Sequence, residues 1–321
     1  MQLSTIYEPV REDLGRVEDE LGLVSKVDFP WLAELLGYSL KSGGKGIRPA
    51  LTLLSGKLYH YNLDTLLPMA TAVELLHVAT LVHDDAIDKS PVRRGRPTFY
   101  KVWGEEKAVL LGDYLFAKAG ELTATTQNIR VIKLFAQTLK TISTGELAQT
   151  FSAFNLGQTY QQYIHRISCK TAALFVLATE SGAVLSGAPE ASVRIINEYG
   201  YNLGIAFQIV DDILDFIGTE EEIGKPIGSD LAQGTLTLPA RLLLERYPED
   251  NPVKRLFQNR DSQEDIKLAI ELVRNSPIIE ECYTVAADYC AKACHNLNLL
   301  PDNASRQSLI EIADYVIRRK R

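Results

Sequence analysis

Two aspartate triads with the same internal spacing constrain this chain more than any other feature. The first is Asp84-Asp85-Ala86-Ile87-Asp88 and the second Asp211-Asp212-Ile213-Leu214-Asp215. Each places carboxylates at i, i+1 and i+4, and on a helix positions i and i+4 lie one above the other on one face. A bare like-charged pair there costs about 0.2–0.5 kcal/mol. A hard cation between the two removes that cost, and Mg²⁺ is typically held by one or two carboxylates plus substrate phosphates. One triad alone is compatible with a solvated acidic patch. Two, each beside an apolar helical run, suggest the two walls of one metal-filled cleft.

The 321-residue sequence is 46% hydrophobic and 23% charged, ample for a large core. Helical periodicity dominates, and short alternating β-branched runs are nearly absent. The pattern predicts helices over 3–21, 30–40, 47–59, 64–87, 105–122, 128–150, 158–185, 189–217, 235–246, 263–273, 277–297 and 304–319. Breakers separate them, among them Gly43-Gly44, Pro91, Gly187 with Pro189, Gly224 with Pro226, and Pro301. No Ser/Gly/Pro-rich linker divides the chain, so residues 1–321 read as one all-α domain. The net charge of −7 argues against a nucleic-acid partner. Any anionic ligand must therefore be held by local cations or metals.

No basic start with an apolar stretch opens the chain, and no uninterrupted run of about 18 apolar residues occurs. The expectation is a cytoplasmic protein without a transmembrane segment. Cys169, Cys282, Cys290 and Cys294 fit reduced, buried helix-face thiols. Cys290 and Cys294, followed by His295, share a helical spacing, and a metal site there is the alternative.

Cations cluster near the carboxylates. Gly43-Gly44-Lys45-Gly46-Ile47-Arg48-Pro49 opens a predicted helix. Glycines let the backbone approach an anion, and a helix N-terminus favours negative charge. Lys45 would supply a point charge and Arg48 a planar fork. Arg93-Arg94-Gly95-Arg96-Pro97 follows the first triad, and a double arginine beside a metal-binding triad signals diphosphate. The bland alternative is a basic loop paired with the aspartates. Lys170-Thr171 interrupts an apolar helix, where a lysine needs an anionic partner. Gln208 precedes the second triad and Lys225 follows it. No Ser-His-Asp or Cys-His arrangement is visible. Such an inventory suits chemistry in which metals draw off a leaving group and water is excluded.

Across nearly its whole length the chain resembles the trans-isoprenyl diphosphate synthases, and most of all the bacterial medium- and long-chain polyprenyl diphosphate synthases. The likeness rests on GGKGIRP, ELLHVATLVHDDAID, RRGRP, GELAQ, the Lys170-Thr171 pair, GIAFQIVDDILDF and GKPIGSDL, all in the family's order. The resemblance implies one large helical bundle around a deep central cavity, the isoprenoid synthase fold. It implies ionisation of an allylic diphosphate, head-to-tail attack by isopentenyl diphosphate, and loss of a proton to the departing diphosphate. Mg²⁺ is the implied cofactor, three ions in all, with Asp84, Asp85 and Asp88 binding two and Asp211 the third. Asp212 and Asp215 would support the third ion. Arg93, Lys170, Gln208 and Lys225 would contact the allylic substrate, with the oxygens of Thr171 and Gln208 turned to the developing cation. Lys45, Arg48, His77 and Arg94 would hold isopentenyl diphosphate. His77 lies two turns before Asp84 on the same face, whereas His83, Tyr163 and His165 read as structural. The family's dimers imply a homodimer here. One departure is Thr235, where many members carry a lysine.

The positions four, five, eight and eleven before Asp84 are Thr80, Ala79, Leu76 and Val73. Short-chain members resemble one another in placing aromatic residues at the nearest two, and here both are small. The expectation is a tunnel open past Leu76 and a product longer than geranylgeranyl, with Phe135 and Leu139 as floor candidates. The alternatives are a geranylgeranyl or farnesyl diphosphate synthase, or the catalytic subunit of a heteromeric synthase. From other classes, a non-catalytic partner subunit would lose the triads, and a helical metal-binding protein would keep the patches without diphosphate binding.

Overall fold

The segment that most needs cover from water is Leu63–Ile87, a 25-residue helix. The Asn62 side-chain oxygen caps it by accepting from the Asp64 N–H at 3.0 Å. Its apolar residues lie all around the axis rather than in one stripe, the pattern of a helix enclosed by others. Met69, Ala72, Val73, Leu75, Leu76 and Ala79 accordingly have no exposed surface.

A computed structural model of the chain describes residues 2–41, 44–219, 226–260 and 262–319. The helices, in order, are α1 (Leu3–Ile6), α2 (Arg11–Val24), α3 (Pro30–Leu40), α4 (Ile47–Gly56), α5 (Leu63–Ile87), α6 (Phe99–Trp103), α7 (Glu105–Thr125), α8 (Ile129–Phe151) and α9 (Tyr160–Ile167). They continue with α10 (Ala173–Leu185), α11 (Glu190–Ile217), α12 (Ser229–Ala232), α13 (Leu238–Arg246), α14 (Pro252–Asn259), α15 (Gln263–Arg274), α16 (Ile278–Cys294) and α17 (Ala304–Arg318). The all-α expectation holds. The strand structure among the described residues is one minimal hairpin, β1 (Val92–Arg93) against β2 (Arg96–Pro97). Arg94 and Gly95 turn it with positive φ of 51° and 72°, as a two-residue hairpin turn of right-handed twist requires.

The densest packing runs between α5 and α7, between α11 and both α10 and α16, and between α4 and α10. The helices α5, α10 and α11 thus form the interior, and the triads sit at the C-terminal ends of α5 and α11. Two stretches, Leu63–Ile87 and Tyr160–Leu185, are long and apolar enough to cross a membrane, although their charged and polar residues interrupt the runs in sequence. Most of each is buried in the fold, 61% and 72% of its most apolar window, which accounts for the composition.

Among the described residues three helices escaped the periodicity: α6, α12 and α14. The last had a readable start, since the Asn251 side chain accepts from the Val253 N–H at 2.9 Å and Pro252 sits in the first turn. The predicted helix 3–21 is broken at Glu8–Val10 by a 3₁₀ turn containing Pro9. The predicted helix 158–185 is interrupted by a π-helical turn over Ser168–Ala172. Two glycines admit that widened turn. A Cβ on Gly145 of α8 would lie 2.6 Å from the Cys169 Cβ, and one on Gly204 of α11 would lie 2.5 Å from the Ala172 Cα.

Because the clash at Gly204 is with backbone, Gly204→Ala forces the two helices apart. Overpacking of this kind costs about 1–3 kcal/mol. Denaturant unfolding of Gly204→Ala should show a lowered midpoint with an unchanged slope.

Candidate active site between the two triads

Both triads end helices, where the helix dipole is negative and carboxylates are disfavoured. Asp84 and Asp85 occupy the last turn of α5, with Asp88 at its C-cap. Asp84 and Asp88 line a cavity of about 950 Å³. Asp85 is rotated about 100° around the helix, the step of one residue, and faces the hairpin instead. There Arg93 grips it with Nε at 2.9 and 3.1 Å from the two carboxylate oxygens and a terminal nitrogen at 2.8 Å. Asp85 therefore departs from the expectation of a third cavity-facing carboxylate: it anchors Arg93 at the cavity rim. Bidentate pairs of this kind fix geometry as well as charge.

The second triad divides in the same way. Asp211 and Asp212 line the cavity. Asp215 is 1% exposed and turns toward α12, accepting from the Ser229 hydroxyl at 3.0 Å and the Asp230 N–H at 3.2 Å. Asp212 is 2% exposed and already engaged. It accepts from the Tyr163 hydroxyl at 2.8 Å and from the Gln208 amide nitrogen at 2.8 Å. Burial, and then the Asp230 carboxylate, push the Asp212 pKa above the usual carboxylate range. With its amide nitrogen on Asp212, Gln208 presents its oxygen to Thr171, whose hydroxyl donates to it at 2.5 Å. A hydrogen-bond chain thus runs Tyr163–Asp212–Gln208–Thr171. Tyr163, read from sequence as structural, positions two of the expected site residues.

The π turn carries Lys170 and Thr171 to the cavity wall. The Lys170 ammonium lies 2.7 Å from Glu146 and 3.8 Å from Asp84, and these carboxylates outweigh its burial to raise its pKa. Glu146, inside the GELAQ motif, had been assigned no role. Across the cavity, Lys45, Arg48, His77 and Arg94 come together with Glu74. Burial lowers the Arg48 pKa to about 10 against the pull of Glu74 and Asp211. Its guanidinium stacks 4.9 Å from the Phe175 ring, and its Nε is buried without a hydrogen-bond partner. An orphaned buried donor is costly, and an anion entering here would supply its acceptor. Burial, followed by Arg48, Arg94 and Arg93, holds the His77 pKa well below its usual value. His77 is thus a neutral hydrogen-bonding group rather than a cation.

Glu74 and Arg319 complete the site without having been singled out. Glu74 lies within the apolar helix α5. Arg319 follows the last helix, yet it is 5% exposed and bonds the Phe207 carbonyl at 2.7 Å and Asp211 at 2.8 Å. Thr235 lines the cavity, and Lys225 and Gly43 lie outside the described residues.

Of the chain-length candidates only Thr80 reaches the cavity. Val73, Leu76 and Ala79 are fully buried in the packing of α5, so the expected passage past Leu76 is closed in this conformation. Phe135 and Leu139 do not line it either. The four cysteines are free thiols, and Cys290 donates to the Ala313 carbonyl at 3.5 Å. Among the described residues no three His, Cys, Asp or Glu side chains converge as a ready-made metal site, so Cys290, Cys294 and His295 do not form one.

Metal chemistry fits the carboxylates facing the cavity. Burial raises the Asp88 pKa against the pull of Lys170, and Asp84 and Asp230 raise it further. Such mutual repulsion is what a shared divalent cation relieves.

The sequence matches the polyprenyl synthetase family over residues 29–273. Component 2 of the heptaprenyl diphosphate synthase of Bacillus subtilis is 37% identical over 320 residues, spanning 100% of this chain and 92% of that protein. Among solved structures, a polyprenyl synthase from Caulobacter crescentus, complexed with calcium and isoprenyl diphosphate, superposes with a TM-score of 0.95. It is 34% identical and covers 99% of this chain and 98% of its own. A decaprenyl diphosphate synthase from Rhodobacter capsulatus gives 0.92 at 37% identity, with full coverage of both chains.

A carboxylate whose folded-state pKa is raised binds its proton more tightly in the folded protein. The stability it contributes is present at low pH and lost as pH rises through the folded value. At neutral pH, ionised Asp88 therefore opposes folding in metal-free solution. Asp88→Asn should raise the thermal midpoint there by a few degrees in calorimetry and remove the gain in stability that Mg²⁺ with a diphosphate ligand gives the native chain.

Proposed function

The chain belongs to the polyprenyl synthetase family and is a prenyltransferase, and from that premise we propose that it condenses isopentenyl diphosphate head-to-tail onto an allylic diphosphate to give a medium- or long-chain all-trans polyprenyl diphosphate. The observation that carries the reading is the pairing of two opposed carboxylate walls with two distinct sets of cations. One set, Lys170 and Arg93, is held by carboxylates of the first wall or beside it. The other, Lys45, Arg48 and Arg94, lies across the cavity. Two anionic substrates need two such sets.

Asp84 and Asp88 from one wall and Asp211 from the other would hold Mg²⁺, three ions as the family resemblance implies, whose charge neutralises the departing diphosphate. Lys170 and Arg93 bind the allylic diphosphate at its oxygens, with Lys225 beside the second wall. Thr171 commits its hydroxyl hydrogen to Gln208. Its oxygen therefore offers only lone pairs to the cavity, where they stabilise positive charge on the allyl fragment. Tyr163 and Asp212 fix that polarity by holding the Gln208 amide nitrogen. Arg48, with Lys45, Arg94 and the neutral His77, binds isopentenyl diphosphate. As the family resemblance implies, the released diphosphate accepts the proton.

A medium or long product is supported by the heptaprenyl and decaprenyl synthases among the relatives. A homodimer through α7 and α8 is supported by the exposed apolar residues Leu110, Ile129, Leu147 and Phe151, the last 88% exposed. The setting proposed for it is the cytoplasm. A second reading, the catalytic subunit of a heteromeric enzyme, is favoured by the likeness to a protein named component 2.

Incubation of the purified chain with farnesyl and isopentenyl diphosphates, followed by chromatography of the dephosphorylated products, tests these readings. Products longer than geranylgeranyl, formed only with Mg²⁺, are expected. Arrest at geranylgeranyl would refute the long product, and turnover only on adding a second protein would establish the heteromer. In the same assay Tyr163→Phe should lower kcat about 10–100-fold, the equivalent of one hydrogen bond to a charged group, with a smaller change in KM.

A further inference from the structure

The third arginine of the hairpin, Arg96, does not line the main cavity, unlike Arg93 and Arg94. Its neighbours show what it does instead. The hairpin is a ladder of two residue pairs, and a ladder that short is not stable alone. Its position is therefore set by what it is tied to, and its two limbs are tied to different helices.

The β1 limb is tied to α5. Asp85 grips the Arg93 guanidinium, and the Asp85 carbonyl accepts from the Ser90 N–H at 2.9 Å. The β2 limb is tied to α3. The Tyr38 hydroxyl donates to the carbonyl of Pro97, the last residue of β2, at 2.6 Å. The Arg96 guanidinium lies 5.7 Å from the centroid of the Tyr38 ring, within cation–π range. Tyr38 is itself held in place. The Trp103 ring meets it edge-on, with centroids 4.7 Å apart and planes at 80°, and Phe99 stacks on Trp103 at 4.6 Å.

Room exists for the hairpin to shift if a tie is lost. A second cavity, of about 60 Å³, lies behind it, between Tyr38 of α3, Val78, Leu81 and Val82 of α5, and the three arginines. Arg93 and Arg94 border both cavities, so the hairpin is the partition between them. Arg93 is pinned through its own side chain to α5. Arg94, in the turn, stands where the β2 limb places its backbone.

We propose that Tyr38, with Arg96 stacked on it, is the positioning residue for the isopentenyl diphosphate site, which it serves by holding the β2 limb and with it Arg94. This rests on the two-diphosphate reading above. Asp85 does the corresponding work for the allylic site through Arg93. Tyr38 touches neither substrate. Release of its tie lets the turn settle toward the space behind, so that Arg94 withdraws from the isopentenyl diphosphate while Arg93 stays pinned.

The test is the steady-state kinetics of Tyr38→Phe with farnesyl and isopentenyl diphosphates, with far-ultraviolet dichroism to check folding. The variant loses one hydrogen bond and keeps the ring. The KM for isopentenyl diphosphate should rise about threefold to tenfold, the equivalent of that bond, with kcat and the KM for farnesyl diphosphate changed less than twofold. Asp85→Asn should show the opposite selectivity, with the larger rise in the KM for farnesyl diphosphate. Arg96→Met, which removes only the stacking charge, should shift the same constant as Tyr38→Phe and serves if that variant fails to fold. Equal rises for both substrates, as a general loosening of the fold would give, would overturn the proposal, and so would unchanged constants. If the unaltered chain consumes neither diphosphate, the reading beneath the proposal fails with it, whereas normal turnover with an unselective Tyr38→Phe overturns the proposal alone.

Discussion

Carboxylates placed at the negative ends of two long buried helices repel one another, and much of the site answers that repulsion. Asp84, Asp88 and Asp211 face one cavity, with Asp230 close enough to raise the Asp88 pKa. Nothing in the packing of α5 or α11 requires acid there. The protein tolerates the charge because it supplies partial counter-charges: Lys170 against Asp84 and Glu146, and Arg319 against Asp211. Each is a cation that a bound metal and diphosphate would displace or share.

The symmetry of the two triads hides a division of labour that helix geometry imposes. Neighbouring carboxylates on a helix point about 100° apart, so one triad cannot turn every oxygen to one cleft. Asp85 and Asp215, which face away, and Asp212, which lines the cavity but is already hydrogen-bonded, are put to use as anchors. Asp85 fixes Arg93 on a hairpin too small to be rigid alone. Asp212 fixes the Gln208 amide, and through it the polarity of the Thr171 hydroxyl. Asp215 ties α11 to α12. Loss of an anchor would therefore act through the group it holds, whereas loss of Asp84 or Asp88 acts on the charge in the cavity itself.

The helices and the placement of both triads were legible in the sequence, because i, i+4 spacing and apolar periodicity are local properties. The orientation of each aspartate was not. It depends on partners such as Tyr163, 49 residues from Asp212 in the chain. Glu74 was hidden by its apolar neighbours, and Arg319 by its distance from every motif. How far the cavity extends along α5 was not legible for a related reason. Small residues at Ala79 and Thr80 suggest space only if no other helix fills it, and α7 does. Gly112 and Gly120 were the available clues, since a glycine inside a helix often marks where another group comes close.

The central claim is that the two walls hold a diphosphate through Mg²⁺ and not through the cations alone. Calorimetric titration of the purified chain with a non-hydrolysable bisphosphonate, with and without Mg²⁺, tests it directly. Tight binding with Mg²⁺, falling at least 10-fold (about 1.4 kcal/mol) without it, is the predicted result. Equal binding in both conditions would show that the arginines and lysines suffice and that the carboxylates are not a metal site.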